Sequence, residues 1–280
     1  PSQAFIDEVE KKYSSQNPGA HEITTLLWTM AVLGIFPCGN FMEVLERRIS
    51  TCRPSTKQIV TALWSLAILD VIGQGYLKSR AQRIYEYFRD TDCFDLRTLK
   101  RNHIKKQMMQ AALWFDWPCK YETTESDEII SHSETMVAAA FARAGYNPLH
   151  YAAPEGIFAP LKHRVDITLP RPPHAPIWLE SDGYPHFIAA NDGLSSYYNG
   201  NSILMTALLL KYAAGKLVMR IPSGASDLLQ TLSQPDQESV IDNLMRQAGA
   251  CDPSRAYVVL PGEADNLLKL VPMAPTLQIA

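Results

Sequence analysis

An internal copy constrains this chain more than any other feature. Ile23-Thr-Thr-Leu-Leu-Trp-Thr-Met-Ala-Val-Leu-Gly34 aligns with Ile59-Val-Thr-Ala-Leu-Trp-Ser-Leu-Ala-Ile-Leu-Asp70, which sets Trp28 and Trp64 36 residues apart. Each copy lies in a segment with apolar residues at three- and four-residue spacing, Glu22 to Phe36 and Gln58 to Ile72, so each predicts a helix. Ser55 and Thr56, just after Pro54, offer caps for the second. A further helical stretch follows each copy, near 41–50 and 76–89. A period of this length signals a helix-pair solenoid, in which each unit buries its face only against its neighbour. A third Ala-Leu-Trp at 112–114 reads as a degenerate copy, 50 residues on. Large aromatics at helical spacing usually face a core, so Trp28 and Trp64 are both expected inside.

The rest of the chain follows a different pattern. The change comes near Trp117-Pro118-Cys119-Lys120-Tyr121, which predicts a helical-repeat domain over 1–120 and a second domain over 121–280. Ser126 to Gly145 reads as an amphipathic helix stopped at glycine. Arg164-Val-Asp-Ile-Thr-Leu169 and Ile177-Trp-Leu-Glu-Ser-Asp182 then read as strands, joined by a proline-rich loop. Asn201 to Ala214 reads as a helix, and Leu217-Val-Met-Arg-Ile221 as a buried strand ended by Pro222. Beyond 223 the pattern offers a helix near 236–248, a strand at Ala256 to Leu260 and a last short helix at 263–270. The fold class is therefore mixed α+β.

Hydrophobic residues make up 46% of the 280, enough for a sizeable core and too many for a disordered chain. No apolar run reaches the length of a membrane span; the longest, Leu26 to Gly39, is broken by Thr29 and Pro37. The opening residues carry no basic and apolar leader, so no signal peptide is expected there. Five scattered cysteines without a Cys-x-x-Cys favour reduced thiols over structural zinc. The chain reads as intracellular, with cytoplasm and organelle (mitochondrion or plastid) both open. Its oligomeric state is also open.

Net charge is −3, but it is unevenly divided. Residues 1–120 hold 16 Lys and Arg against 12 Asp and Glu, a net +4; residues 121–280 hold 10 against 17, a net −7. The basic excess is sharpest over 78–106. A basic half can meet phosphates, with Arg97, Lys100, Arg101, Lys105 and Lys106 as candidates, or can simply be a solvated helix face.

In the second half, acids gather on the two strands. Glu180 and Asp182, two apart, point to one face, and Asp166 joins them if the strands are neighbours. Clustered carboxylates repel unless a cation or a proton offsets them. Oxygen ligands of this kind suit Mg²⁺, Mn²⁺ or Ca²⁺, with Asp166 and Glu180 as candidate metal holders for Mg²⁺ or Mn²⁺. The same acids can instead pair with Lys162, Arg164 or Arg220.

Here the residues carry a resemblance. Trp178-Leu-Glu-Ser-Asp-Gly-Tyr-Pro-His-Phe187 resembles the E-x-D-G-P-x-H-F centre of the RAP domain. Val165-Asp-Ile is similar to its V-D-I strand, Asn199-Gly-Asn-Ser-Ile-Leu with Leu208-Leu-Leu to its G-x-T-x-L…L-L segment, and Gly215-Lys-Leu-Val-Met-Arg-Ile-Pro222 to its closing strand. The ordered set spans about 127 to 225, and RAP domains typically follow helical repeats of 35 to 40 residues. The resemblance implies a restriction-endonuclease-like C-terminal domain and RNA binding, in RNA processing, stability or translation. It implies an acidic centre of Glu134, Asp166 and Glu180, with Asp182 standing where a restriction-like E-x-K motif has its lysine. Lys211 or Lys216 is then a possible substitute, and His186 a general acid or a base contact. The helix over 203–212 lacks the basic cluster of many RAP members, having Met205-Thr206-Ala207 instead. Tyr184, in a turn, is the candidate to stack on an unpaired base, while Trp178 belongs in the core. The expected function is binding of single-stranded RNA with metal-dependent cleavage. The alternative is a non-catalytic RNA-binding or protein-interaction module; a DNA nuclease related to mismatch repair fits the repeats less well.

Overall fold

The structure is a computed structural model that describes residues 3–16, 18–37, 39–89, 91, 94–99, 101–118, 131–150, 165–171, 174–189, 196–213, 215–262, 268–274 and 278–279. The chain divides into two compact units, Pro1–Thr123 and Thr124–Ala280. The first is helical and the second is built on a sheet, so the fold is mixed α+β.

The first unit holds α1 (Gln3–Ser15), α2 (Ala20–Leu33), α3 (Gly39–Thr51), α4 (Thr56–Ile72), α5 (Lys78–Arg89) and α6 (Asn102–Phe115). Helices α2, α4 and α6 pack side by side in one row with α4 in the middle; α3 packs on α1, α2 and α5. The middle position explains α4, which buries twelve of its 17 residues and so is apolar almost all round. Its start is a capping box: Ser55 Oγ accepts from the Gln58 N–H at 3.4 Å, and Gln58 Oε1 accepts from the Ser55 N–H at 2.8 Å. The first copy ends at Gly34, which takes a left-handed φ of 68° and stops α2. Asp70 replaces that glycine in the second copy, and the helix continues to Ile72. Asp70 is buried, accepting from the Leu77 N–H and, at 2.8 Å, from the Trp114 indole.

The two repeat tryptophans differ in burial, contrary to expectation. Trp64 is 4% exposed and donates its indole N–H to Gln110 on α6 at 2.7 Å, whereas Trp28 is 43% exposed. Helix α4 is flanked on both sides, but α2 stands at the end of the row, and Trp28 lies on the rim of an open cleft.

The first helix described in the second unit is α7 (His132–Arg143), capped by Ser131; the expected start at Ser126 lies outside the described residues. Its six-stranded sheet has the order β1 (Leu149–His150), β2 (Ile167–Arg171), β3 (His174–Asp182), β6 (Leu217–Pro222), β7 (Ala256–Pro261) and β8 (Leu268–Pro272). β3, β6 and β7 are parallel, and β1, β2 and β8 add antiparallel at the two sides. β4 (Phe187–Ala189), β5 (Ser196–Tyr198) and β9 (Gln278–Ile279) form a separate small sheet. The expected proline-rich loop is shorter than predicted, since Pro170 sits in β2 where the register with β3 shifts. The expected helix over 263–270 is corrected: from Leu268 the chain is strand β8, paired with β7, and 263–267 lie outside the described residues.

Strand alternation sorts the two faces. Ile167, Leu179, Met219, Ile221 and Val259 pack against α7, α9 (Ser223–Thr231) and α10 (Gln234–Gly249) in one core. Trp178, Glu180, Asp182 and Arg220 therefore point to the opposite face, where α8 (Gly200–Tyr212) lies.

Candidate functional site

The acid cluster is assembled by strand register. Ile167 pairs with Leu179, so Asp166, one residue before β2, arrives beside Glu180 and Ser181. Asp166 Oδ2 accepts the Ser181 backbone N–H at 2.8 Å. Asp166 and Glu180 thus lie on one face of neighbouring chain segments, and Glu180 is 6% exposed. The third acid comes from α7, where Glu134 sits in the first turn with its N–H capped by Ser131 Oγ at 3.1 Å. The residue before it holds the helix in place: Ser133 Oγ is 2.9 Å from both Ser181 Oγ on β3 and Ser226 Oγ on α9.

This crowding is felt at Asp166. Burial, then the charges of Glu180, Glu134 and Asp182, push its carboxyl up to about 9 against the opposing Ser181 N–H. At neutral pH Asp166 therefore carries a proton unless a cation replaces it. Among the described residues no three His, Cys, Asp or Glu side chains converge as a ready-made ion cage. The donor set present is a carboxylate pair. That is what Mg²⁺ commonly takes from a protein, the remaining positions going to water and substrate phosphate.

Asp182 has another place than the one expected. It is 1% exposed, and both its oxygens are engaged by the buried Arg220. Arg220 Nε donates at 2.8 Å to Oδ2, which also accepts from Tyr198 OH at 2.9 Å; Arg220 Nη2 donates to Oδ1. Arg220 Nη1 donates in turn to Ser202 O and Thr206 Oγ1 of α8, at 3.2 and 2.6 Å. Burial alone would lower the Arg220 pKa, but Asp182 outweighs it and holds the guanidinium charged. Burial, with the Asp182 charge, raises Tyr198 well above its ordinary value, so it donates as a phenol. Asp182 is thus a structural counter-ion that ties β3 to β6, β5 and α8. Of the pairings open in the sequence, this acid has taken Arg220. The substituted Met205-Thr206-Ala207 of α8 has a use here, as Thr206 is one of the arginine's acceptors.

His186 is next to this network, with Nδ1 3.1 Å from Ser202 Oγ and 3.4 Å from Asp182 Oδ1. Burial lowers its pKa and Arg220 adds to that, against Asp182 and Glu180. Tyr184 is 80% exposed, as a stacking residue requires, and Trp178 is buried as expected. Neither lysine proposed as a substitute is aimed at solvent alone: Lys216 Nζ lies 4.7 Å from the Trp178 ring centre, and Lys211 Nζ 5.5 Å from that of Tyr212.

The basic residues belong to the first unit. Arg80 and Arg83 of α5 are paired with Glu46 of α3, so part of the positive excess is spent inside the helical unit. Glu46 is accordingly held low, the two guanidiniums overcoming its burial. Arg97 is exposed but chelates Asp95 at 2.9 and 3.0 Å. Arg101 is exposed at the start of α6, and Lys105 and Lys106 are half-buried along it. Lys100 lies outside the described residues. The pairing roles of Tyr198, Ser133 and Ser226 had no signal in the sequence, since hydroxyl residues without a motif are common everywhere. No helix among the described residues is long and apolar enough to cross a membrane.

Compared with protein-family models, with curated proteins and with solved structures, the chain matches none.

Proposed function

We propose that the protein binds single-stranded RNA and cleaves it at the Asp166–Glu180 centre with a divalent cation. One observation carries this reading: Asp166 and Glu180 are brought together on one face by strand register, within the field of Glu134. The helix–hairpin–helix–parallel-strand order of the second unit is also similar to that of restriction-like nucleases, the fold that the RAP resemblance implies.

Asp166 and Glu180 would hold Mg²⁺ or Mn²⁺, which when bound supplies a Lewis acid at the scissile phosphate and a water of lowered pKa. The chain's own residues do the rest. Asp166 holds a proton on its carboxyl and releases it when the site is filled. Ser181 fixes the Asp166 carboxyl through its N–H, and Ser133 fixes α7, whose Glu134 adds its charge to the field at Asp166. His186 keeps Nδ1 toward Ser202 and Asp182, which leaves Nε2 to accept or return a proton. Tyr184 offers an exposed ring on which a base can stack.

The test is cleavage of single-stranded RNA with Mg²⁺ or Mn²⁺, with EDTA as control. Asp166→Ala and Glu180→Ala are expected to abolish cleavage and leave RNA binding nearly unchanged, since acids without metal repel phosphate. Cleavage that persists in EDTA or in Asp166→Ala overturns the assignment. A second reading has its own support. Asp182 stands at the lysine position and is locked to Arg220, which favours a non-catalytic RNA-binding module. Binding without cleavage of any RNA would decide for it.

A further inference from the structure

The helical unit contains an open cleft of 470 Å³, and its lining is not that of a packing defect. The N-terminal half of α4 forms the floor through Lys57 and Thr61, while α2 and α6 form the walls through His21 and Trp28 on one side and His103 and Gln107 on the other. His21, Lys57 and His103 all lie in first turns. Three helices thus present their N-terminal ends, where the backbone dipole favours an anion, to one cleft.

Three independent features point to the occupant. First, among the described residues no carboxylate lines the cleft, although the chain as a whole is acidic; beside Trp28 and Ile104 the lining is Lys57, two histidines, hydroxyls and amides. Glu22, next to His21, turns its carboxylate back to the Gly19 N–H at 2.7 Å. Second, Trp28 exposes 43% of its surface in a position whose repeat counterpart, Trp64, is buried. An indole face set in a basic cleft is a stacking platform for a base. Third, Gln107 of the cleft lining has a buried Oε1 with no hydrogen-bond partner among the described residues, an acceptor that a bound donor would satisfy once the amide turns into the cleft.

We propose that this cleft is a binding site for single-stranded RNA, with one base stacked on Trp28 and its phosphate against Lys57. The proposal rests on the RNA-binding reading above and locates it. The amide of Gln107 meets the edge of the stacked base, and the imidazoles of His21 and His103 border the backbone path. Arg101 and Lys105, on and beside the first turn of α6, extend the positive field beyond the cleft. A protein ligand would need an apolar or acidic complement along the whole cleft, whereas this lining alternates one aromatic face with polar groups, the pattern that fits a base and its phosphate.

The experiment is anisotropy titration of a labelled single-stranded RNA oligonucleotide with the full chain in EDTA, which stops metal-dependent hydrolysis. The variants are Trp28→Ala, Trp28→Phe and Lys57→Gln. Trp28→Ala is expected to weaken binding roughly tenfold or more, the loss of one stacked base, and Trp28→Phe to retain most of the affinity. Lys57→Gln is expected to weaken binding and to reduce the slope of log K against log salt by about 0.7, one phosphate contact. Intrinsic fluorescence should be quenched by RNA in the wild type and much less in Trp28→Phe. Because Trp28 is exposed, Trp28→Ala should melt with the wild type, which separates lost contact from lost fold. Wild-type binding with unchanged affinity in both Trp28→Ala and Lys57→Gln overturns the cleft while leaving the RNA reading intact. Absence of RNA binding by the wild type overturns both. Equal, Trp28-dependent binding of the matching DNA strand overturns the assignment to RNA.

Discussion

Asp166 ties pH to stability in the metal-free protein. Its carboxyl is pushed up to about 9 in the fold, against about 4 for an unperturbed aspartate. Between those values the folded chain holds a proton that the unfolded chain has released, so this group's contribution is full below about pH 4 and is lost as pH rises toward 9. Thermal melts from pH 5 to 9 should therefore show falling stability, and Asp166→Asn should flatten the trend. Cation binding must expel the same proton, so affinity for Mn²⁺ should rise over that range, with proton release measurable by calorimetry in buffers of different ionisation enthalpy. Arg220 gives a second prediction at this scale. Arg220→Met leaves the buried Asp182 carboxylate without its cation and should destabilise by about 3–5 kcal/mol. Adding Asp182→Asn should recover part of that loss, as chemical denaturation of the single and double variants would show. An additive double variant would mean that the pair is not coupled.

At the scale of elements, Trp64→Ala should destabilise by roughly 3–5 kcal/mol, because it empties the α4–α6 contact. Trp28→Ala should change stability by only about 0.5 kcal/mol or less, as for an exposed position. Denaturant midpoints of the two variants measure the contrast. That contrast also marks how far the sequence could be read. A helix with its own period and cap, such as α4 after Ser55, is legible because the information is local. So was the meeting of Asp166 with Glu180, because alternation along β3 and a hairpin partner determine it. What depends on a distant partner was not legible. The two tryptophans have the same local sequence, and only the place of each helix in the row separates them. The short helix expected over 263–270 is a strand from Leu268, because pairing with β7 decides it. The two- and three-residue strands of the small sheet have too few residues for any period. The direction of Asp182 was read correctly as a face, but its partners Tyr198 and Arg220 come from chain 16 and 38 residues away.

At the scale of the molecule, the proposed phosphate contacts and the proposed chemistry lie in different units, which makes them separable by mutation. Neutralising Arg101, Lys105 and Lys106 together should weaken RNA binding and flatten its salt dependence by about 0.7 in slope per lost contact, with cleavage at saturating RNA much less affected. Filter binding at several salt concentrations, alongside single-turnover cleavage, checks this; a cleavage rate that falls in step with affinity even at saturation would contradict it. The Arg220–Asp182 pair has a different kind of consequence, for inheritance. A lysine placed at 182 alone would set a second cation against Arg220 and remove the aspartate whose two oxygens now bind it, and a neutral residue at 220 alone would strand the aspartate. The two positions are therefore epistatic: descendants of this sequence can alter them only as a couple, and the most direct substitution toward an E-x-K motif is closed to them unless position 220 changes in the same lineage.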